Sequence, residues 1–149
     1  MSEYYSQRWH EQNDEAEKRM AWRVPTGRDC AVQFKKGTWF PFSAMAHAKD
    51  ISLGGIRFVS EAEFKQGEKL QIQLNLSERF PGIKKIKIGA RVVHSENISP
   101  KNRGGRFLRS TGCRLEFSEE MFQEAIRQFM WWRTFENENE FNSRTTYAL

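Results

Sequence analysis

Cysteine is scarce in this chain: Cys30 and Cys113 are the only two in 149 residues, and no C-x-x-C pair exists. A disulfide-dense fold is excluded. Both thiols are read as reduced core residues of a cytoplasmic protein, with one buried disulfide as the alternative. Histidine is scarce too. His10, His47 and His94 fall at no metal-ligand spacing, no paired carboxylates follow a motif, and neither cysteine has a catalytic signature beside it. The chain is therefore expected not to be an enzyme, and to need no metal and no cofactor. No run of 18 apolar residues occurs, so membrane insertion is not expected. The opening Met-Ser-Glu-Tyr-Tyr is unlike a secretory leader. Nor is there a large charge of one sign: 24 Lys and Arg against 19 Asp and Glu leave +5. That balance suits an anionic ligand or a nucleic acid without demanding either.

Aromatic residues, in contrast, are plentiful, with 12 Phe and 5 Trp to fill a single core. Alternation predicts six short strands: Cys30, Val32 and Phe34; Phe42, Ala44, Ala46 and Ala48, running up to Asp50; Ile56 and Phe58; Leu70 to Leu76; Ile86 to Val92; and Cys113, Leu115 and Phe117. Turns at Lys36-Gly37 and Pro81-Gly82 separate them. Phe122, Ile126, Phe129 and Met130 then recur at helical spacing behind Ser118, a capping residue followed by two glutamates. A short N-terminal helix is predicted over Asn13–Arg19, ending before Pro25. The fold class is mostly β: a six-stranded antiparallel (split) barrel, a short N-terminal helix, and a C-terminal helix packed on the barrel.

Two patterns stand apart from this core. Arg19 and Arg23, four residues apart, share one side of either a helix or a strand. Their planar forks suit a phosphate or the O6/N7 edge of guanine. Taken alone, the pair also reads as a solvated helix face. Asp50-Ile51-Ser52-Leu53-Gly54-Gly55 is more specific, a D-x-S-x-x-G turn that average residue usage would give in roughly a few per cent of such chains. Its local reading is a strand-end turn in which Asp50 or Ser52 bonds backbone and Gly55 takes a positive φ. Its ligand reading is a carboxylate and a hydroxyl aimed at a flat polar edge, with glycine allowing close approach. The two readings are compatible.

With these motifs, the segment from Arg19 to Pro25, Gly89 to His94, and Gly112-Cys-Arg-Leu-Glu-Phe117, the chain resembles the PilZ domain, a bacterial receptor module for cyclic di-GMP. The resemblance runs from about Lys18 to Met130. It implies an N-terminal extension at 1–17 and a PilZ domain at 18–135, with the barrel at about 28–117 and the helix at about 118–135. A polar, disordered tail at 136–149 would follow. It implies cyclic di-GMP held by Arg19, Arg23, Asp50, Ser52 and Gly55, with Lys18, Gly54 and His94 as further positions. Arg103 and Arg106, in the basic loop 101–109, are read as solvated. With no output domain in the sequence, an unidentified protein partner is expected to read the signal in motility, exopolysaccharide or virulence control. DNA or RNA is not expected. A small basic barrel binding single-stranded nucleic acid is the alternative function. Residues 1–25 carry little apolar surface and are expected to order only when ligand binds.

Overall fold

In strand β5, Lys69–Leu76, the side chains of Leu70, Ile72, Leu74 and Leu76 are buried while those between them are not. The computed structural model, which describes residues 22–102 and 104–147 with side chains as far as 138, repeats this arrangement around a closed wall. The other strands are β1 (Val24–Pro25), β2 (Cys30–Lys35), β3 (Ala46–Ile51), β4 (Gly55–Ser60), β6 (Lys85–Asn97) and β7 (Arg109–Glu116). Every pairing is antiparallel, in the order β3-β2-β5-β6-β7-β4, and β4 returns to β3. Closure leaves a six-stranded barrel whose main ladder has no free edge.

Inside lie Val32, Ile51, Ile56, Phe58, Ile72, Leu74, Ile86 and Val92. Phe34, Phe58 and Phe64 meet at centroid distances of 5.1 to 6.2 Å, within the range in which aromatic pairs add to plain burial. The helix α1 (Glu120–Tyr147) turns Ala125, Ile126, Phe129 and Met130 inward. Phe80, from the β5–β6 connection, meets Phe129 edge-on at 5.5 Å.

Three features differ from the sequence reading. First, the chain docks before Pro25. Val24 and Pro25 pair with Ile51 and Asp50, and Val24 is buried. Thr26, also buried, donates its N–H to the Lys49 carbonyl and its hydroxyl to that of Ala48. Residues 22–25 are therefore tied to the barrel through β3. The predicted N-terminal helix lies outside the described residues. Second, α1 does not end at Phe135 but continues to Tyr147, through the stretch expected to be a disordered tail. No Gly or Pro occurs after Ser118 to stop it, and extending a formed helix is far cheaper than starting one. Glu136 is also tied back to the barrel by Arg79, Nη1 to Oε2 at 3.3 Å. Third, β3 begins at Ala46 rather than Phe42, and the loop before it leaves Trp39 almost fully exposed. No helix among the described residues is long and apolar enough to cross a membrane.

Candidate ligand-binding site

Parity along β3 would point Asp50 into the barrel, since Ala46 and Ala48 are buried. A bulge prevents this. Ala48 pairs with Phe58, but the next partner of β4, Arg57, faces Asp50. One extra residue, Lys49, has been inserted, and such an insertion re-aims the side chain that follows it. Asp50 therefore meets Arg57 on the outer wall. Strand β6 repeats the device. Val92 pairs with Cys113 inside, Val93 is the extra residue, and His94 comes to face Gly112 on the outside.

The two bulges bring four residues into one row across four adjacent strands: Asp50, Arg57, Gly112 and His94. At the usual strand spacing this row is about 14 Å long. A Cβ on Gly112 would lie 2.6 Å from His94 Cε1, so the imidazole covers backbone that any side chain would push away. The next row carries Gly55, Arg114 and Arg91. Arg91 pairs with Glu116 at 3.5 Å, whereas Arg114 is exposed and makes no ion pair among the described residues.

Asp50 is the centre of charge. Arg23 donates from Nη1 to Oδ1 at 2.8 Å. Arg57 donates to Oδ2 from Nε at 3.1 Å and from Nη2 at 2.7 Å. The Asp50 side chain is 12% exposed, those of Arg23 and Arg57 48% and 42%. Arg23, Arg57 and Arg114 thus set three cations against one carboxylate, and the wall carries a positive excess that favours an anion.

The turn after Asp50 is held by Ser52. Its N–H donates to the Gly55 carbonyl at 2.8 Å, and its buried hydroxyl accepts the Gly55 N–H at 3.0 Å. The hydroxyl here serves the turn, the local one of the two roles read from the motif. Gly55 does not take a positive φ. Its missing side chain is required by packing, since a Cβ would sit 2.7 Å from the Cys113 carbonyl oxygen on β7. The Gly54 carbonyl accepts from the N–H of Leu115 at 3.0 Å, tying the same turn to β7.

Of the residues read from the sequence, the structure brings Arg23 and Asp50 into contact, places Ser52, Gly54 and Gly55 in the adjoining turn, and puts His94 at the far end of the row. Lys18, Arg19 and Arg103 lie outside the described residues. Arg106 is remote, paired with Glu61 at 3.4 Å. Arg57, Gly112 and Arg114 went unnoticed as site residues. The D-x-S-x-x-G motif ends two residues short of Arg57, and only strand register shows that Arg57 returns to Asp50.

The segment bearing Arg23 also touches α1. Trp22 packs on Trp131 at a centroid distance of 5.3 Å, and Arg133 Nε donates to the Pro25 carbonyl at 3.3 Å. Arg133 continues to Asp29, Nη1 to Oδ2 at 2.8 Å, and Arg79 reaches the other oxygen of Asp29 at 3.3 Å. Among the described residues no group of three or more His, Cys, Asp or Glu is placed to hold a metal ion.

A protein-family model, the PilZ domain, matches residues 17–130. Solved structures with the same fold include the PilZ domain with c-di-GMP of YcgR from Escherichia coli, at 12% identity and a TM-score of 0.60, covering 80% of this chain and 94% of that one. The Bacillus subtilis inhibitor of motility MotI/DgrA matches at 22% identity and a TM-score of 0.57, covering 76% and 50%. MrkH of K. pneumoniae in its apo state matches at 17% and 0.64, covering 79% and 52%. This chain spans about half the length of the MotI and MrkH chains. No curated protein matches it in sequence. With the family model matched over most of its length, the chain belongs to the PilZ domain family.

Proposed function

We propose that this protein is a cytoplasmic receptor for cyclic di-GMP, without catalytic activity, whose bound state is read by a protein partner. The observation that carries this reading is Asp50, turned outward by a bulge and held between Arg23 and Arg57 beside the Gly112–His94 shelf. Guanine offers a carboxylate two donors, N1–H and the amino group, and offers arginine two acceptors, O6 and N7. The two phosphates of the dinucleotide match the cation excess, with Arg19 and Lys18 added from the preceding segment. Adenine lacks the N1 donor, so Asp50 would face an acceptor and lose its pairing. Ser52 and Gly54 keep the Asp50 turn rigid, and His94 is placed to lie against a base. Family membership supports the reading, as do the structures of YcgR and MrkH in complex with c-di-GMP.

Signalling follows from what lies on either side of Arg23. Trp22 and Pro25 both touch α1. A ligand that draws Arg23 off Asp50 therefore pulls on a segment pinned to that helix, and the partner would read the helix and its surroundings. Such a change needs the ligand to favour one arrangement over the other. The downstream process belongs with motility, biofilm formation or virulence.

Calorimetric titration with cyclic di-GMP, GTP and a single-stranded DNA oligonucleotide tests the reading. Saturable binding of cyclic di-GMP at micromolar affinity or tighter, with the other two at least tenfold weaker, is expected. DNA binding without dinucleotide binding would overturn it in favour of a nucleic-acid barrel.

A further inference from the structure

Both oxygens of Asp50 are occupied, Oδ1 by Arg23 and Oδ2 twice by Arg57. A guanine edge presenting two donors needs those same two oxygens. Each carboxylate oxygen accepts two bonds. Oδ1 takes one from Arg23, but Oδ2 already takes two from Arg57, so a guanine edge with one donor on each oxygen can bind only if Arg57 lets go. Ion pairs whose cations are nearly half exposed are weak and exchange readily, so the exchange is easy, and it frees the Arg57 fork beside an incoming dianion. Arg57 differs from Arg23 in where it is anchored. Its backbone is fixed in the barrel wall, in register with Gly112 on β7. On the side away from Asp50 it therefore meets no β7 side chain but the His94 imidazole that covers Gly112, against which a displaced guanidinium and a base can both lie.

We infer that Arg57 is a ligand-binding arginine held in reserve: Asp50 keeps it while the site is empty, and guanine displaces it onto a phosphate or the O6/N7 edge of the same ligand. No bond is made or broken; one charge-assisted contact replaces another of similar strength. The inference rests on the proposed binding of cyclic di-GMP. It separates Arg57 from two other roles. An arginine that only masks Asp50 would compete with the ligand, and its removal would tighten binding. An arginine that only supports the barrel would change stability and leave the affinity of the folded protein alone.

The test is titration of cyclic di-GMP into wild type, Arg57→Gln and Arg57→Lys at several salt concentrations, with a thermal melt of each. Loss of a charged contact should weaken Arg57→Gln about tenfold or more and make its affinity less sensitive to salt. Arg57→Lys should recover the salt dependence but only part of the affinity, because a point charge cannot grip as a fork does. Equal or tighter binding by a folded Arg57→Gln would overturn the inference while the parent reading stands. A wild type that does not bind would overturn both.

Discussion

Two aspartates in this barrel are each held by two arginines, and their surroundings differ. Asp29 is gripped by Arg133, whose side chain is only 9% exposed, and by Arg79. Arg133 also donates to the Pro25 carbonyl from α1. Asp50 is gripped by Arg23 and Arg57, both nearly half exposed. The aspartates are equally buried and Arg79 is as open as the arginines on Asp50, so the difference lies in Arg133 alone. A buried pair cannot trade partners, because a charge left alone away from water costs several kcal/mol, so Asp29 works as a latch between the barrel and α1. An open pair costs little to separate, which is what the proposed exchange of arginine for ligand at Asp50 needs. Burial of Arg133, not the presence of the ion pair, distinguishes the fastener from the proposed site.

The largest effect is expected at the latch. Arg133→Met should lower unfolding free energy by about 3–5 kcal/mol, because it leaves a buried carboxylate without its main partner, with ligand affinity changed less than by Arg57→Gln. Urea denaturation beside a binding titration checks both halves. A smaller loss is expected at the wall itself. Gly55→Ala brings a methyl within 2.7 Å of the Cys113 backbone carbonyl, which neither strand can avoid cheaply, and about 1–3 kcal/mol should be lost. An unchanged midpoint would mean that β4 and β7 separate more easily than their register suggests.

At the open cluster the expectations reverse. Asp50→Asn should change stability by less than about 1 kcal/mol. It should nevertheless reduce the preference for cyclic di-GMP over cyclic di-AMP, which the wild type should show at tenfold or more. If discrimination survives the substitution, base identity is read elsewhere on the wall.

How much of this could be read in the sequence divides along the same line. The barrel was legible because each of its six strands alternates, as Leu70 to Leu76 does, and alternation is the direct imprint of a wall with two faces. Strand β1 was not, being two residues long and containing a proline. The far half of α1 was hidden by its polarity, because nothing in it needs burying. Arg23 and Asp50 were legible as parts of motifs. Arg57 was not, because a single arginine in a strand shows nothing of what lies across the ladder. The bulges at Lys49 and Val93 are invisible too, and without them parity would have placed Asp50 and His94 inside the barrel.

The smallest effect concerns the interior thiols. Both cysteines are free and buried. Burial, with Asp29 adjacent, pushes Cys30 up to about 12, and burial pushes Cys113 up to about 12. Neither should react with a thiol reagent at pH 8 until the protein unfolds. Since the unfolded chain ionises its thiols near 9, the stability tied to keeping them neutral is whole below that pH and is lost as pH rises towards 12. Replacing both by alanine should flatten this alkaline fall, as thermal melts across the range would show.

Side-chain arginine resonances, followed through Nε during a cyclic di-GMP titration, test the central contrast most directly. The account predicts that Arg23 and Arg57 shift most, in proportion to saturation, with a smaller shift at Arg133, whose Nε bonds the Pro25 carbonyl of the segment that Arg23 moves. Shifts at Arg133 with Arg23 and Arg57 unmoved would show that the ligand acts at the latch, and would contradict the assignment of the open cluster as the site.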